Sequence, residues 1–298
     1  MRGTVRLTNL LNLPAPLVAA VSHDDYSRGE SDISITQLLD PPRKVALQAA
    51  HDRTLTEDVA DRIWALLGQS IHTILERADH KGIKEHRLYA DIGGWHVSGQ
   101  FDRLVGLYDE HGGRWVLQDY KLCSTWEVIG GLKPEKTAQL NCYAYLASVN
   151  GYAVNGLEIV TILRDWSKMK AKRERDYPQQ QVRVIPVCLW PAEETAAYLR
   201  ERVRLHHEAA VAPDHQLPLC TAEERWARPT VWAVMKQGRK SALKLCETPE
   251  MAADYLTQQA KPSLLSVIER PGESVRCRYY CAAASVCNQA QAGSAELS

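Results

Sequence analysis

Apolar positions in this chain form helix-spaced stripes on either side of a central group of strand-like runs. Between residues 55 and 79, Val59, Ile63, Leu66, Leu67, Ile71, Ile74 and Leu75 recur at the spacing of an amphipathic helix. Thr54-Leu55-Thr56-Glu57 has the form of a capping box that would open it. The stretches Trp95–Asp102, Leu104–Tyr108 and Arg114–Lys121 lose that period and are rich in β-branched and aromatic residues. Glu110-His111-Gly112-Gly113 between them predicts a hairpin turning near His111 and Gly112. Helical spacing returns over Gln139–Leu146. Gln181–Leu189 alternates like a strand, and Ala192–Ala210 reads as a helix opened by Pro191.

With 298 residues, 45% of them hydrophobic, the chain can bury a sizeable core as one large domain or two joined parts. No apolar run is long enough to span a bilayer. Leu10–Ala20 has the faint outline of a secretion signal, but Asn12, Pro14 and Pro16 interrupt it and the cysteine pattern suits a reducing compartment. A cytoplasmic location is expected. The formal net charge of zero argues against a wholesale polyanion binder and leaves room for a local basic groove. There is no internal repeat, and no GxxxxGK[ST] loop that would signal a fused ATP-driven helicase.

Chemistry concentrates at Asp119-Tyr120-Lys121. Side chains alternate along a strand, so Asp119 and Lys121 share a face, roughly 6 to 7 Å apart along it. The hairpin would set Asp102 opposite Asp119 or Lys121, with the register deciding its face. Two carboxylates held close repel unless a cation lies between them, and hard oxygen ligands suit Mg²⁺ or Mn²⁺. Such an ion acidifies a bound water and offsets charge growing on a phosphodiester. Lys121 would position or deprotonate that water, or steady the transition state as a cation. One turn apart, Gly68 and His72 share a helix face, where the glycine would permit close backbone approach beside an imidazole. Gln139 and Tyr143 also share a face and could bond a DNA backbone or the catalytic residues. Each of these residues alone is ordinary on a solvated surface.

A basic stretch follows, in which Lys168, Lys170, Lys172, Arg173 and Arg175 are interleaved with Trp166 and followed by Tyr177. It could track a DNA strand, cations on phosphates and a ring on a base, or be a plain solvated face. Trp232, Lys236, Arg239 and Lys240 are a weaker second candidate.

Taken in order, Gly68-x3-His72, Gly99-x2-Asp102, Asp119-x-Lys121 and Gln139-x3-Tyr143 resemble the PD-(D/E)XK nucleases of the RecB type, including CRISPR-adaptation exonucleases and phage-encoded relatives. The resemblance covers about residues 30 to 170. It implies an α/β, restriction-endonuclease-like fold, a central mixed sheet flanked by helices. It further implies His72, Asp102, Asp119 and the Tyr120 carbonyl as metal ligands, Lys121 as the catalytic lysine, and Gln139 and Tyr143 as the additional motif of this branch. Phe101 stands where the family's name has proline. The expected activity is Mg²⁺- or Mn²⁺-dependent exonucleolytic hydrolysis of DNA, on single strands or duplex ends, in recombination or repair with a recombination protein as partner. A flap endonuclease of the same fold and a non-catalytic DNA-binding subunit are the alternatives. The expected organisation is an N-terminal helical segment over 1–50, a nuclease core over 51–212 and a cysteine metal-cluster region over 213–298.

The second constellation is Cys277-Arg278-Tyr279-Tyr280-Cys281 with Cys287, three of the chain's eight cysteines within eleven positions. Thiols this dense in an intracellular protein more often bind metal than form disulfides. Cys220, in a loop bounded by Pro218, is the choice for a fourth ligand. Related nucleases hold a 4Fe-4S cluster with one cysteine before the core and three near the C-terminus. Ile35–Arg43 resembles the segment that carries the first, with Pro41 in its place. Four cysteines also satisfy structural Zn²⁺, although these spacings do not match the short paired knuckles of common zinc sites. Unliganded thiols and a zinc-ribbon-like interaction protein complete the alternatives, the latter leaving the upstream motifs unexplained. Cys123, Cys142, Cys188 and Cys246 read as buried or incidental thiols.

Overall fold

The computed structural model describes residues 6–22, 29–109, 112–259 and 261–295. Contacts gather the chain into two compact units: Val5–Asp40 with Thr56–Val211, and Pro41–Leu55 with Ala212–Ser298. The expected segment 1–50 is therefore divided, because the helix Pro42–Ala50 finds its partners in the C-terminal part of the chain.

The first unit is α/β. Six strands, β1 (Ile33–Ser34), β2 (Ile83–Ile92), β3 (Trp95–Asp109), β4 (Gly112–Cys123), β5 (Val154–Leu163) and β6 (Val182–Val187), form one sheet. Its order is β1-β3-β4-β5-β6, with β2 also paired to β3. The sheet is mixed: β1 runs parallel to β3 and β4 parallel to β5, while the other pairs are antiparallel. Flanking helices are α1 (Ile35–Leu39), α2 (Ile63–Ala78), α3 (Pro134–Val149) and α4 (Ala192–Val211). Leu140, Tyr143, Leu146 and Ala147 of α3, and Leu199 and Val203 of α4, join Phe101, Leu104, Leu117 and Ile159 of the strands in one core.

Two tight reversals set the register around β3. Gly93 and Gly94, at φ 57° and 83°, make the two-residue turn that Ile92↔Trp95 closes, a conformation that side-chain-free residues adopt without strain. At the other end Asp109 pairs with Gly112; the expected turn residue His111 lies outside the described residues.

The helix expected from Leu55 begins instead at Ile63. Thr56–Asp58 pairs as a short parallel strand with Arg6–Thr8, a long-range ladder that overrides the local capping pattern. Asp58 then caps the single 3₁₀ turn Val59–Arg62, its carboxylate accepting from Ala60 N at 3.0 Å. Val59 is buried, but no residue of α2 itself is. The apolar stripe read from the sequence is thus left half open.

His206 of α4 is buried at 2% exposure, with Nε2 3.0 Å from Leu38 O and 3.1 Å from Asp40 O. Burial, helped by the Arg202 charge, holds its pKa down to about 4. The unfolded chain, titrating near 6.5, takes up a proton that the fold refuses, so stability falls as pH drops from about 6.5 toward 4. The loss should reach roughly 3 kcal/mol at most. Thermal melts of His206→Gln should show a flatter dependence in that window, and an unchanged slope would reject the assignment.

In the second unit, β7 (Val231–Lys236), β8 (Lys244–Cys246) and β9 (Leu265–Arg270) form an antiparallel sheet in the order β8-β7-β9. The helix Pro249–Thr257 packs there, with Val234, Cys246 and Ala252 as a small core. Short helices Val275–Tyr279 and Asn288–Ala295 follow. Among the described residues, no helix of the protein is long and apolar enough to cross a membrane.

Candidate metal centre and thiol cluster

The two hairpins place three carboxylates side by side. Lys84↔Arg103 and His86↔Phe101 put Glu85 opposite Asp102, and Arg103↔Gln118, continued one step, puts Asp119 there from the other side. Directly opposed residues of antiparallel strands share a face. At Asp102 the β3–β4 ladder gives way: its Oδ2 accepts from Tyr120 N at 2.6 Å, in place of a strand-to-strand bond. Glu85 sits in the left-handed region at φ 44°, a conformation that costs a non-glycine residue of order 1 kcal/mol or more and clusters at functional sites.

From α2, His72 reaches this row. Its Nδ1 lies 3.4 Å from Asp102 Oδ1 and 3.5 Å from Glu85 Oε1, while Nε2 lies 3.1 Å from Tyr120 O. Ligand atoms of His72, Glu85 and Asp102 all fall within 4.8 Å of one another. Separations near 3 Å are those of neighbouring ligands on an ion bound at about 2.1 Å in octahedral geometry. The two carboxylates, Asp102 first and then Glu85, push the imidazole pKa up to about 10, a measure of how strongly this pocket favours positive charge.

Asp119 and Lys121 share a face as expected and meet directly. Nζ donates to Asp119 Oδ1 at 2.8 Å and lies 2.7 Å from Oδ2. Asp119 is 2% exposed, and its Oδ2, despite that ion contact, has no aligned hydrogen-bond donor. A carboxylate oxygen so placed keeps a lone pair that a further ligand could use. Burial lifts the Asp119 pKa to about 6 against the pull of Lys121. For Lys121, burial works against the charge, but the Asp119 and Asp102 carboxylates outweigh it and raise its pKa. The residues expected as ligands therefore divide: His72, Asp102 and the Tyr120 carbonyl converge directly, and Asp119 joins them through its charge while paired with Lys121. Glu85 is the member the sequence reading missed.

From α3, Gln139 Nε2 donates to Tyr143 Oη at 3.0 Å, and Thr36 Oγ1 lies 3.5 Å away. Tyr143 is buried, its pKa pushed up to about 12 by that burial. Its ring lies against Gly99: a Cβ added there would stand 2.9 Å from Tyr143 Cδ1 and 3.1 Å from Ile35 Cγ1. Gly99 is thus required for close packing three residues before Asp102. Gly68 differs from expectation: outside its own stretch of helix, no atom of the described residues lies within 4 Å of where its Cβ would be.

In the basic stretch, Lys168–Arg173 is a short helix with Lys168, Lys170, Lys172, Arg173 and Arg175 all exposed. Trp166 is half-buried, and its indole N–H donates to Pro178 O at 2.8 Å, so the ring is tied into the loop. A surface cavity of about 580 Å³ lies beside it, lined by Val128, Arg175, Tyr177 and Arg183; none of the carboxylates described above lines it.

No family model matches this chain, and no curated protein matches it in sequence. Among solved structures, the crystal structure of SSO0001 aligns with 63% of this chain and 82% of its own, at a TM-score of 0.42 and 15% identity. A likeness that loose carries no argument.

In the second unit, Cys220, Cys277, Cys281 and Cys287 lie near enough to one another for their charges to interact. The Cys220 thiol is pushed up to about 12, first by burial and then by Glu224 and the other three thiols. Cys277 is raised likewise by burial, then by Cys281 and Cys287. At Cys220 and Cys277 the neighbouring thiols oppose ionisation, a setting that a bound metal cation would relieve, and four thiols are donors of the kind that iron-sulfur and zinc sites use. The Cys220 loop is held by Gln289, which accepts from Cys220 N at 2.9 Å and donates to Cys220 O at 3.0 Å. Pro41 leads into a further member: Arg43, 2% exposed, donates from Nε to Cys287 Sγ at 3.3 Å and from Nη1 to Leu217 O at 2.7 Å, and also bonds Asn288. Elsewhere Cys123, Cys142 and Cys246 are buried and Cys188 is exposed.

Proposed function

We propose that this chain is a Mg²⁺- or Mn²⁺-dependent deoxyribonuclease of the PD-(D/E)XK, RecB-like type, with a restriction-endonuclease-like core and a cysteine-held 4Fe-4S cluster in its second unit. The observation that carries the reading is the row Glu85, Asp102 and Asp119 across three strands, met by His72 from one side and by Lys121 along β4. The case for a metal is that three carboxylates gathered in one row, beyond the charge of Lys121 and His72, repel one another unless a cation joins them.

A divalent ion, when bound in this pocket, would supply an acidified water and offset charge on a phosphodiester. His72, Asp102, Asp119 and the Tyr120 carbonyl would hold it. Asp102 also fixes the β4 backbone through Tyr120 N, which keeps that carbonyl in place. Glu85 and Asp102 both face His72 Nδ1, orienting the ring so that Nε2 points to the Tyr120 carbonyl. Lys121 keeps its ammonium on Asp119, positioned to orient the attacking water or to steady the phosphate. Gln139 and Tyr143 brace the pocket from α3. For the second unit, Cys220, Cys277, Cys281 and Cys287 would hold the cluster, which closes the C-terminal segment on itself in a structural role. Exonucleolytic action in recombination or repair remains the reading taken from the sequence motifs.

The test is digestion of end-labelled single-stranded and duplex DNA with Mn²⁺ or Mg²⁺, against EDTA. Wild type should cleave only with the metal, and Lys121→Ala should bind DNA without cutting it. Equal cleavage by the two proteins would sink the proposal.

A further inference from the structure

Helix α2 carries a feature that the centre itself does not use. Trp64, Gly68 and His72 follow one another at intervals of four residues, so they lie along one slowly winding line on the helix. Trp64 is 60% exposed. Gly68, in mid-helix, has nothing within 4 Å of its missing side chain. A glycine there gives up roughly 1 kcal/mol relative to alanine, and no packing contact among the described residues explains it. The line ends at His72, in the centre described above.

Arg164 meets the other end. It follows β5 directly, and its backbone N–H donates to Cys123 O at 3.0 Å, just past Lys121 on the neighbouring strand. Its guanidinium lies 4.6 Å from the centroid of the Trp64 ring. An exposed aromatic ring with a cation over it is the combination that takes an unstacked base and its phosphate together. The basic residues Lys168, Lys170 and Lys172 come next in the chain.

We infer that the Trp64–Gly68–His72 line of α2 is the track of a single DNA strand: a base stacks on Trp64 beside Arg164, the backbone passes over the bare helix at Gly68, and the phosphate to be cut reaches His72 and the acids. This rests on the nuclease reading. The occupant is a single strand because every base of an intact duplex except those of its terminal pairs is already stacked on both faces and has none to offer the indole. Eight residues of helix span about 12 Å, so the stacked base lies about two to four nucleotides from the scissile phosphate, depending on how far the strand is stretched.

Fluorescence anisotropy of end-labelled dT15 in EDTA, with Mn²⁺-dependent cleavage of the same strand in parallel, tests the track. Trp64→Ala should weaken binding of the strand roughly tenfold to a hundredfold, with Trp64→Phe recovering most of it. Gly68→Leu should weaken binding and cleavage while its Tm stays level or rises, because the added side chain enters open space on a better helix former. A fold defect would lower Tm instead, so the two causes separate. If both variants bind and cut dT15 as wild type does, the track is wrong and the nuclease reading stands. A blunt duplex weakened as much as dT15 by Trp64→Ala would overturn the single-strand assignment. Failure of wild type itself to cut any DNA with Mn²⁺ would remove the nuclease reading and the track with it.

Discussion

Asp119→Ala is expected to end metal-dependent DNA cleavage, by roughly a thousandfold or more as for other residues of a catalytic set, and to destabilise the protein as well. Both effects follow from one geometry. Asp119 is 2% exposed and is the ion partner of Lys121, 2.7 Å away. Removing it takes away one of the ligands proposed for the centre and leaves an ammonium in a poorly hydrated place without its partner. Uncompensated charges of that kind cost about 3 to 5 kcal/mol. Lys121→Gln added to Asp119→Asn should recover much of the lost stability, since two neutral amides can bond each other, and should recover no cleavage. Denaturant midpoints and digestion assays on the single and double variants form a cycle that separates the two roles. A double variant no more stable than Asp119→Ala would show that the buried pair does not set the cost.

Cys281→Ser is expected to have the largest effect on the second unit. Val234, Cys246 and Ala252 form one small core cluster of that unit, and small units commonly gain stability from a metal or crosslink. Metal held by four thiolates contributes on the order of 10 kcal/mol to such a fold. Anaerobically purified wild type should show a broad visible absorption and bound iron. Cys281→Ser should lose both, together with solubility and the melting transition of the unit. Zinc in place of iron would keep the four-cysteine site and reject the iron-sulfur cluster. Unchanged metal content in the variant would reject the site.

The acid centre was more legible in the sequence than the reading made of it. Asp119 and Lys121 needed only strand alternation to be placed together. Glu85 was missed although its signal is present: Gly93-Gly94 is a strong two-residue hairpin turn, and counting back from Ile92↔Trp95 puts Glu85 opposite Asp102. Its left-handed backbone, by contrast, has no sequence signature, since glutamate is not a residue expected there. The start of α2 failed for a different reason. Thr54–Glu57 satisfies a local capping rule, but a partner some fifty positions earlier, Arg6–Thr8, claims Thr56–Asp58 for a ladder. Arg43 was invisible for the same reason of distance: nothing near it in the chain hints at a cysteine 244 positions away.

That distance also bears on how the protein is made. As the chain leaves the ribosome, Pro41–Leu55 emerges early, yet the groups that satisfy Arg43, namely Leu217 O, Cys287 and Asn288, come 174 to 245 residues later. The sheet unit closes its own sequence across this excursion, from Asp40 to Thr56, and can be completed first. During that interval a guanidinium destined for the interior stays hydrated, and the early helix waits for residues synthesised much later. A nascent chain released before Asn288 would therefore lack partners at both ends of the second unit, whatever the state of the sheet.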